Sequence, residues 1–217
     1  MTRHQPRFFP PCLAAAAMSG SGVIRAAPAD LDALSQLIAD AFCDLAPSRW
    51  LIADRATRRK IFPGYFRISV EHALESGVAY TTTDRAAAAL WIPADQDAPA
   101  PPARYGQRLA AATGPWASRF QAFDVALEAR HPAGFPHHHL ALLAVRPSRQ
   151  GQGIGTALLR FHHQILDRAS LPGYLEASGL RTRALYLRHG YADHGAPVYL
   201  PDGPLMYPML RPARAAA

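Results

Sequence analysis

"AVRPSRQGQGIGTALL", residues 144–159, is the glycine-dense loop of this chain, and it joins an apolar run to an amphipathic one. Gly151, Gly153 and Gly155 allow backbone N–H groups to approach an anion closely, and a helix starting there turns its positive end to the same place. Three phosphate-binding patterns compete for the loop. A nucleoside-triphosphate loop needs Lys followed by Ser or Thr after its last glycine, but Thr156-Ala157 follow Gly155. A dinucleotide loop needs a small residue at its sixth position. Counting from Gly151 puts Thr156 there, counting from Gly153 puts Leu158 there, and the loop comes late in the chain. The pattern left is Gln/Arg-x-x-Gly-x-Gly/Ala, met by Gln150-Gly151-Gln152-Gly153-Ile154-Gly155.

Outward from the loop, residues 139–145 are apolar without alternation, as in a central strand covered on both faces. Residues 153–169 read as a helix with Ile154, Leu158, Phe161 and Ile165 on one face. Upstream, residues 22–27 form a strand. A helix then opens at Pro28 and Asp30 and repeats Leu31, Leu34, Leu37, Ile38, Ala41 and Phe42 at helical spacing. Residues 43–54 read as a loop and 55–76 as a helix interrupted or kinked near Pro63-Gly64. Residues 77–83 and 86–94 suggest an antiparallel hairpin turning at Asp84-Arg85. A Pro-rich surface loop (93–102) and a helical stretch broken at Gly114-Pro115 (105–130) follow. Downstream come a strand at "GYLEAS", a helix ending at Gly190, and closing strands at "APVYL" and "LMYPML". The whole is a single α/β domain over residues 23–212, with a disordered leader over 1–22 and a tail over 213–217.

The composition supports a packed domain: 217 residues, 49% hydrophobic and 18% charged. The net charge is +7, yet Lys60 is the one lysine, and no basic run is interleaved with aromatics as a nucleic-acid surface requires. Cys12 and Cys43 have no metal-ligand spacing and imply no disulfide framework. No stretch has the length and apolarity of a membrane span. Arg3, Arg7 and an Ala-rich patch imitate a secretory signal, but Pro10-Pro11 interrupts the apolar region, and Met18 offers a second start. These features lead us to expect a cytoplasmic protein, monomeric or homodimeric, that engages neither nucleic acid nor membrane.

The strand–loop–helix string "LLAVRPSRQGQGIGTALL", with "YLEASGLRTRALYLRHGY" at 174–191, resembles the Gcn5-related N-acetyltransferase family. The strings "PGYLEAS" and "PDGP" are closest in look to small-molecule enzymes of the puromycin N-acetyltransferase type. The likeness is detailed over 137–209 and general over 22–91. It implies a central mixed, mostly antiparallel sheet flanked by helices. It also implies that Gln150, Gly151, Gln152, Gly153, Ile154, Gly155 and Thr156 bind the pyrophosphate of acetyl-CoA as cosubstrate. Backbone N–H groups at Leu143 and Val145 would then polarise the acetyl carbonyl, and Tyr186 would be the general acid. Many relatives carry Asn early in the later helix; Thr182 stands there instead, and its hydroxyl replaces part of that contact.

Other candidates come from the residues themselves. Glu176 lies in an apolar strand, where a carboxylate needs a partner or a cavity, and it suits deprotonation or binding of an amine. In His137-His138-His139 at most two rings share a strand face, and no carboxylate or cysteine stands at ligand spacing, so no metal is expected. His138, Trp50 and Trp91 are candidates to line the acceptor pocket, with Tyr105 and Trp116 nearby in the less patterned half. Neither cysteine falls near the motifs to carry an acyl group. The expected reaction is therefore direct transfer to a small amine in a ternary complex, with protein amines and a non-catalytic acyl-CoA sensor as alternatives.

Overall fold

The computed structural model describes residues 22–96 and 98–214. The expected leader, apart from Gly22, lies outside the described residues, as do Cys12 and the end of the tail. The elements are β1 (Val23–Arg25), α1 (Leu31–Phe42), α2 (Ala46–Leu51), α3 (Arg55–Ser76), β2 (Val78–Thr82), β3 (Ala87–Ala94), α4 (Tyr105–Thr113), α5 (Ala117–Glu128), β4 (His137–Val145), α6 (Ile154–Ala169), β5 (Gly173–Ala177), α7 (Leu180–Leu187), β6 (Ala192–Asp193), β7 (Val198–Tyr199) and β8 (Leu205–Arg211). One sheet runs β1-β2-β3-β4-β5-β8-β6, with β7 also pairing β8. Every pairing is antiparallel except β4 with β5.

Two apolar layers sandwich the sheet. Leu34, Ile38, Phe62, Phe66, Leu109 and Phe120 from α1, α3, α4 and α5 cover one face. Leu158, Leu159 and Leu166 of α6, with Tyr186 of α7, cover the other. The expected hairpin forms, with Val78 opposite Trp91 and Thr81 opposite Ala88. The break at Gly114-Pro115 appears as a short 3-10 turn between α4 and α5.

Two local expectations need correction. Residues 43–54 are not all loop: α2 starts at Ala46 with Pro47 in its first turn, and buried Leu51 anchors it. Arg58, 2% exposed, ties this corner down by donating to the carbonyls of Cys43, Ile52 and Ala53. Helix α3 continues for 22 residues through Pro63, whose missing N–H is outweighed by burial of Phe62 and Phe66 on either side.

Two features of the middle strands prepare the site. Between β3 and β4 the register jumps from Leu90 opposite Leu142 to Trp91 opposite Leu140, leaving Ala141 as a bulge. The bulge reverses side-chain parity. Before it His138 and Leu140 face α6, whereas after it Leu143 and Val145 do. The second feature is that β4 pairs β5 at only two positions, His138 with Gly173 and His139 with Tyr174. Past these positions the strands part, with the glycine loop at the far end of β4.

Candidate active site

Gly151 and Gly153 both adopt φ +79°, a left-handed conformation that favours glycine, and a Cβ at either would meet nothing within 4 Å. The backbone conformation therefore demands glycine, while the space above the loop stays open. Gly153 is the N-cap of α6, and no side chain caps the first turn, so its N–H groups point outward with the positive end of the helix dipole. Gln150 donates to the carbonyl of Val145, and Arg149 bonds Gln152 and Asp84, which braces the loop against the β2–β3 turn. Gly155 sits over the side chains of Val145 and Leu143. An open groove lined by Thr82, Asp84, Arg149, Gln152, Gly153 and Ala157 runs along it. The loop thus has the donors and the room for a pyrophosphate.

Strand alternation sends Leu175 and Ala177 toward α6 and leaves Glu176 on the opposite face. There Glu176, its side chain 7% exposed, accepts from His139 Nε2 at 2.9 Å. His131, in the turn after α5, places Nδ1 4.0 Å from the second carboxylate oxygen. Burial raises the Glu176 pKa, but the facing His139, with His131 and Tyr174, outweighs it and holds the carboxyl below its ordinary value. Burial pushes His131 down to about 3, so its ring is neutral and its approach to Glu176 is not an ion pair.

Tyr186 lies on the α6 face of the sheet, in the apolar cluster with Leu158, Leu175 and Met209. It is 8% exposed and packs edge-on against Tyr191 at 5.7 Å. Burial pushes its phenol above the ordinary value, so it stays protonated at neutral pH. Thr182, expected at the cosubstrate, donates to the carbonyl of Gly179 and lies 3.4 Å from Ser178 Oγ, within the first turn of α7. That hydroxyl's proton is committed to the helix.

Residues 121–193, from α5 through β6 and including the glycine loop, match the acetyltransferase (GNAT) domain family. The chain is an N-acetyltransferase. This N-acetyltransferase is similar in structure to a protein described as histone acetyltransferase HPA2 and related acetyltransferase from Corynebacterium glutamicum. The match has 26% identity over 90% of this chain and 97% of that one, with a TM-score of 0.64. It shares its fold with arylalkylamine N-acetyltransferase 2 of Aedes aegypti (13% identity, 88% and 97% coverage, TM-score 0.59). A GCN5-related N-acetyltransferase from Rhodopseudomonas palustris also has this fold (12% identity, 92% and 99% coverage, TM-score 0.54). The domain family draws its acetyl group from acetyl-CoA.

Three expected pocket residues of the acetyltransferase sit elsewhere. Trp91 is fully buried under α6, stacked on His162 at 4.1 Å, because the alternation of β3 puts it on the same face as Ala87 and Ala89. His138 lies beside it, 2.9 Å from His162, in the core rather than beside Glu176. Trp50 donates its indole N–H to the carbonyl of Pro201, under the Arg119 guanidinium, and so clamps the 201–203 turn onto α2. The residues that do gather at Glu176 include His139 and His131. Strand alternation already placed His139 and Glu176 on faces that adjacent parallel strands share. His131, in an irregular turn 45 positions before Glu176, gave no signal at all.

Proposed function

We propose that the acetyltransferase, acting as one domain over residues 23–212, moves an acetyl group directly from acetyl-CoA to the amine of a small molecule of the kind met by puromycin-type enzymes. The observation that carries this reading is a buried, charged carboxylate at the parting of β4 and β5, on the face opposite the phenol of Tyr186. Gln150, Gly151, Gln152, Gly153, Ile154, Gly155 and Thr156 hold the pyrophosphate, with Thr182 supplying at most an acceptor. Acetyl-CoA supplies the acyl group as an activated thioester. The nearly closed surroundings of Glu176 suit a single ammonium group better than a peptide main chain.

Glu176 attracts the acceptor ammonium and takes its proton, freeing the nitrogen lone pair to attack. Backbone N–H groups of Leu143 and Val145, past the bulge, donate to the acyl oxygen as it gains charge. The C–N bond forms, the C–S bond breaks, and Tyr186 gives its proton to the departing sulfur, while the second proton that the nitrogen sheds on becoming an amide restores the phenol by way of solvent. The amine's first proton remains on Glu176 until solvent removes it. Holding both partners in one cleft supplies the orientation that a bimolecular reaction lacks.

The test is release of free CoA from acetyl-CoA in the presence of two panels: small primary amines, and peptides offering a free amino terminus or lysine. Small amines are expected to exceed peptides at least tenfold in kcat/KM. A reversed preference would assign a protein acceptor, and binding of acetyl-CoA in calorimetry with no turnover on either panel would assign a sensor.

A further inference from the structure

A row of polar groups leads from Phe135 through His137 and His131 to Glu176. Phe135 C=O lies 3.1 Å from His137 Nδ1, His137 Nε2 lies 3.0 Å from His131 Nε2, and His131 Nδ1 lies 4.0 Å from Glu176 Oε1. The first two are hydrogen-bonding distances, and the last is too long for a hydrogen bond. A carbonyl cannot donate, so His137 keeps its proton on Nδ1 and receives one from His131 Nε2. His131 Nδ1 then keeps a lone pair on the side of the Glu176 carboxylate, two acceptors set apart by a gap that no hydrogen bond closes.

We infer that His131, His139 and Glu176 form a site for a divalent cation of the Zn2+ class, using two imidazole nitrogens and one carboxylate. The three ligand atoms lie within 4.8 Å of one another. Bonds of about 2.0–2.2 Å in a tetrahedral site place ligand atoms a little over ~3 Å apart, so small side-chain rotations suffice. His139 turns its Nε2 lone pair to the ion by moving its proton to Nδ1, with no net loss of protons. The outer arrangement is already set, because His137 accepts from the far nitrogen of His131 and Phe135 accepts from His137. Such a relay fixes the tautomer that a metal-bound histidine needs. A nitrogen-rich ligand set favours zinc over magnesium or calcium. The side chain of His139, 18% exposed against 7% for Glu176, marks the side of entry. The ligands come from the turn after α5, from β4 and from β5, which explains why no spacing along the chain revealed them.

Resting on the proposal that Glu176 receives the amine, the ion and the acceptor compete for one carboxylate, and zinc acts as a reversible inhibitor. The decisive experiment titrates untagged, chelator-treated protein with Zn2+ in the absence of acetyl-CoA and amine, and follows the visible band of Co2+ in parallel. One equivalent is expected to bind. His139→Ala and Glu176→Gln are each expected to lower the affinity at least tenfold, and His72→Ala on α3 to leave it unchanged, with circular dichroism confirming that all three variants fold. Absence of stoichiometric binding, or binding that survives both ligand variants, overturns the site. In the acetylation assay Zn2+ should raise KM for the amine without changing KM for acetyl-CoA. Binding without that effect keeps the metal site and removes Glu176 as the amine's carboxylate.

Discussion

Tyr186 combines a buried ring with a hydroxyl kept protonated by its surroundings, which suits a group that gives up a proton only when a thiolate develops beside it. Tyr186→Phe removes that proton and little else, since the ring still packs on Tyr191. It is expected to lower kcat by about 100-fold or more while the calorimetric affinity for acetyl-CoA stays within about threefold of the parent. Equal kcat in the two proteins would leave the tyrosine a packing residue. At this scale the sequence was legible wherever a residue's chemistry and its backbone demand coincide, as at Gly151 and Gly153. It was illegible at His131, whose importance comes from neighbours that only the folded chain supplies. Trp91 and His138 misled because an aromatic at a strand end reads the same whether it faces a cleft or a core.

The elements themselves were easier to read than their faces. Helix α6 runs almost as its periodicity indicated, yet its most buried positions are Leu158, Leu159, His162, His163 and Leu166, so two histidines occupy places that hydropathy assigns to solvent. The expected face residues Ile154, Phe161 and Ile165 flank that core, half-buried. The bulge at Ala141 is equally hidden, because an apolar strand without alternation contains no mark of where parity reverses. Between α4 and α5, Tyr105 donates to Asp124 at 2.7 Å. Burial pushes Asp124 up to about 6, with Glu128 adding to it and the tyrosine only partly opposing it. A carboxyl raised in this way stabilises the fold below its unfolded value near ~4, and that contribution is lost as pH rises through about 6. Asp124→Asn keeps an acceptor for Tyr105 and removes the charge. It should therefore gain stability at pH 8, by at most about 3 kcal/mol, and gain only about 1 kcal/mol at pH 4.5. Urea denaturation at the two pH values measures the difference, and an equal effect at both would show that the carboxyl is not strained.

For the whole molecule, the mixed and mostly antiparallel sheet follows from the order of its elements, but the parting of β4 from β5 depends on what fills the space beneath them. Part of that filling is polar. His162 is enclosed by Trp91 on β3, His138 on β4, Tyr80 on β2 and His163 on its own helix. His163 meets Tyr191, with His189, Arg211, Asp167 and Arg214 acting on it. Burial lowers both imidazoles, His162 well below its ordinary value and His163 to about 3. The unfolded chain binds protons at both near pH 6.5 while the folded core refuses them, so the stability they contribute is present above that pH and declines as pH falls below it. Between pH 7.5 and 5.0 each histidine should remove up to about 2 kcal/mol from the unfolding free energy. His162→Gln preserves a neutral, hydrogen-bonding side chain of similar length but cannot titrate. The variant starts less stable at pH 7.5, because it loses the stacking on Trp91, and it should lose less on going to pH 5.0 than the parent does. Guanidinium titrations of both proteins at the two pH values give the four free energies required. Parallel losses would mean that acid acts on this fold through its surface ion pairs rather than through the histidines packed beneath the sheet.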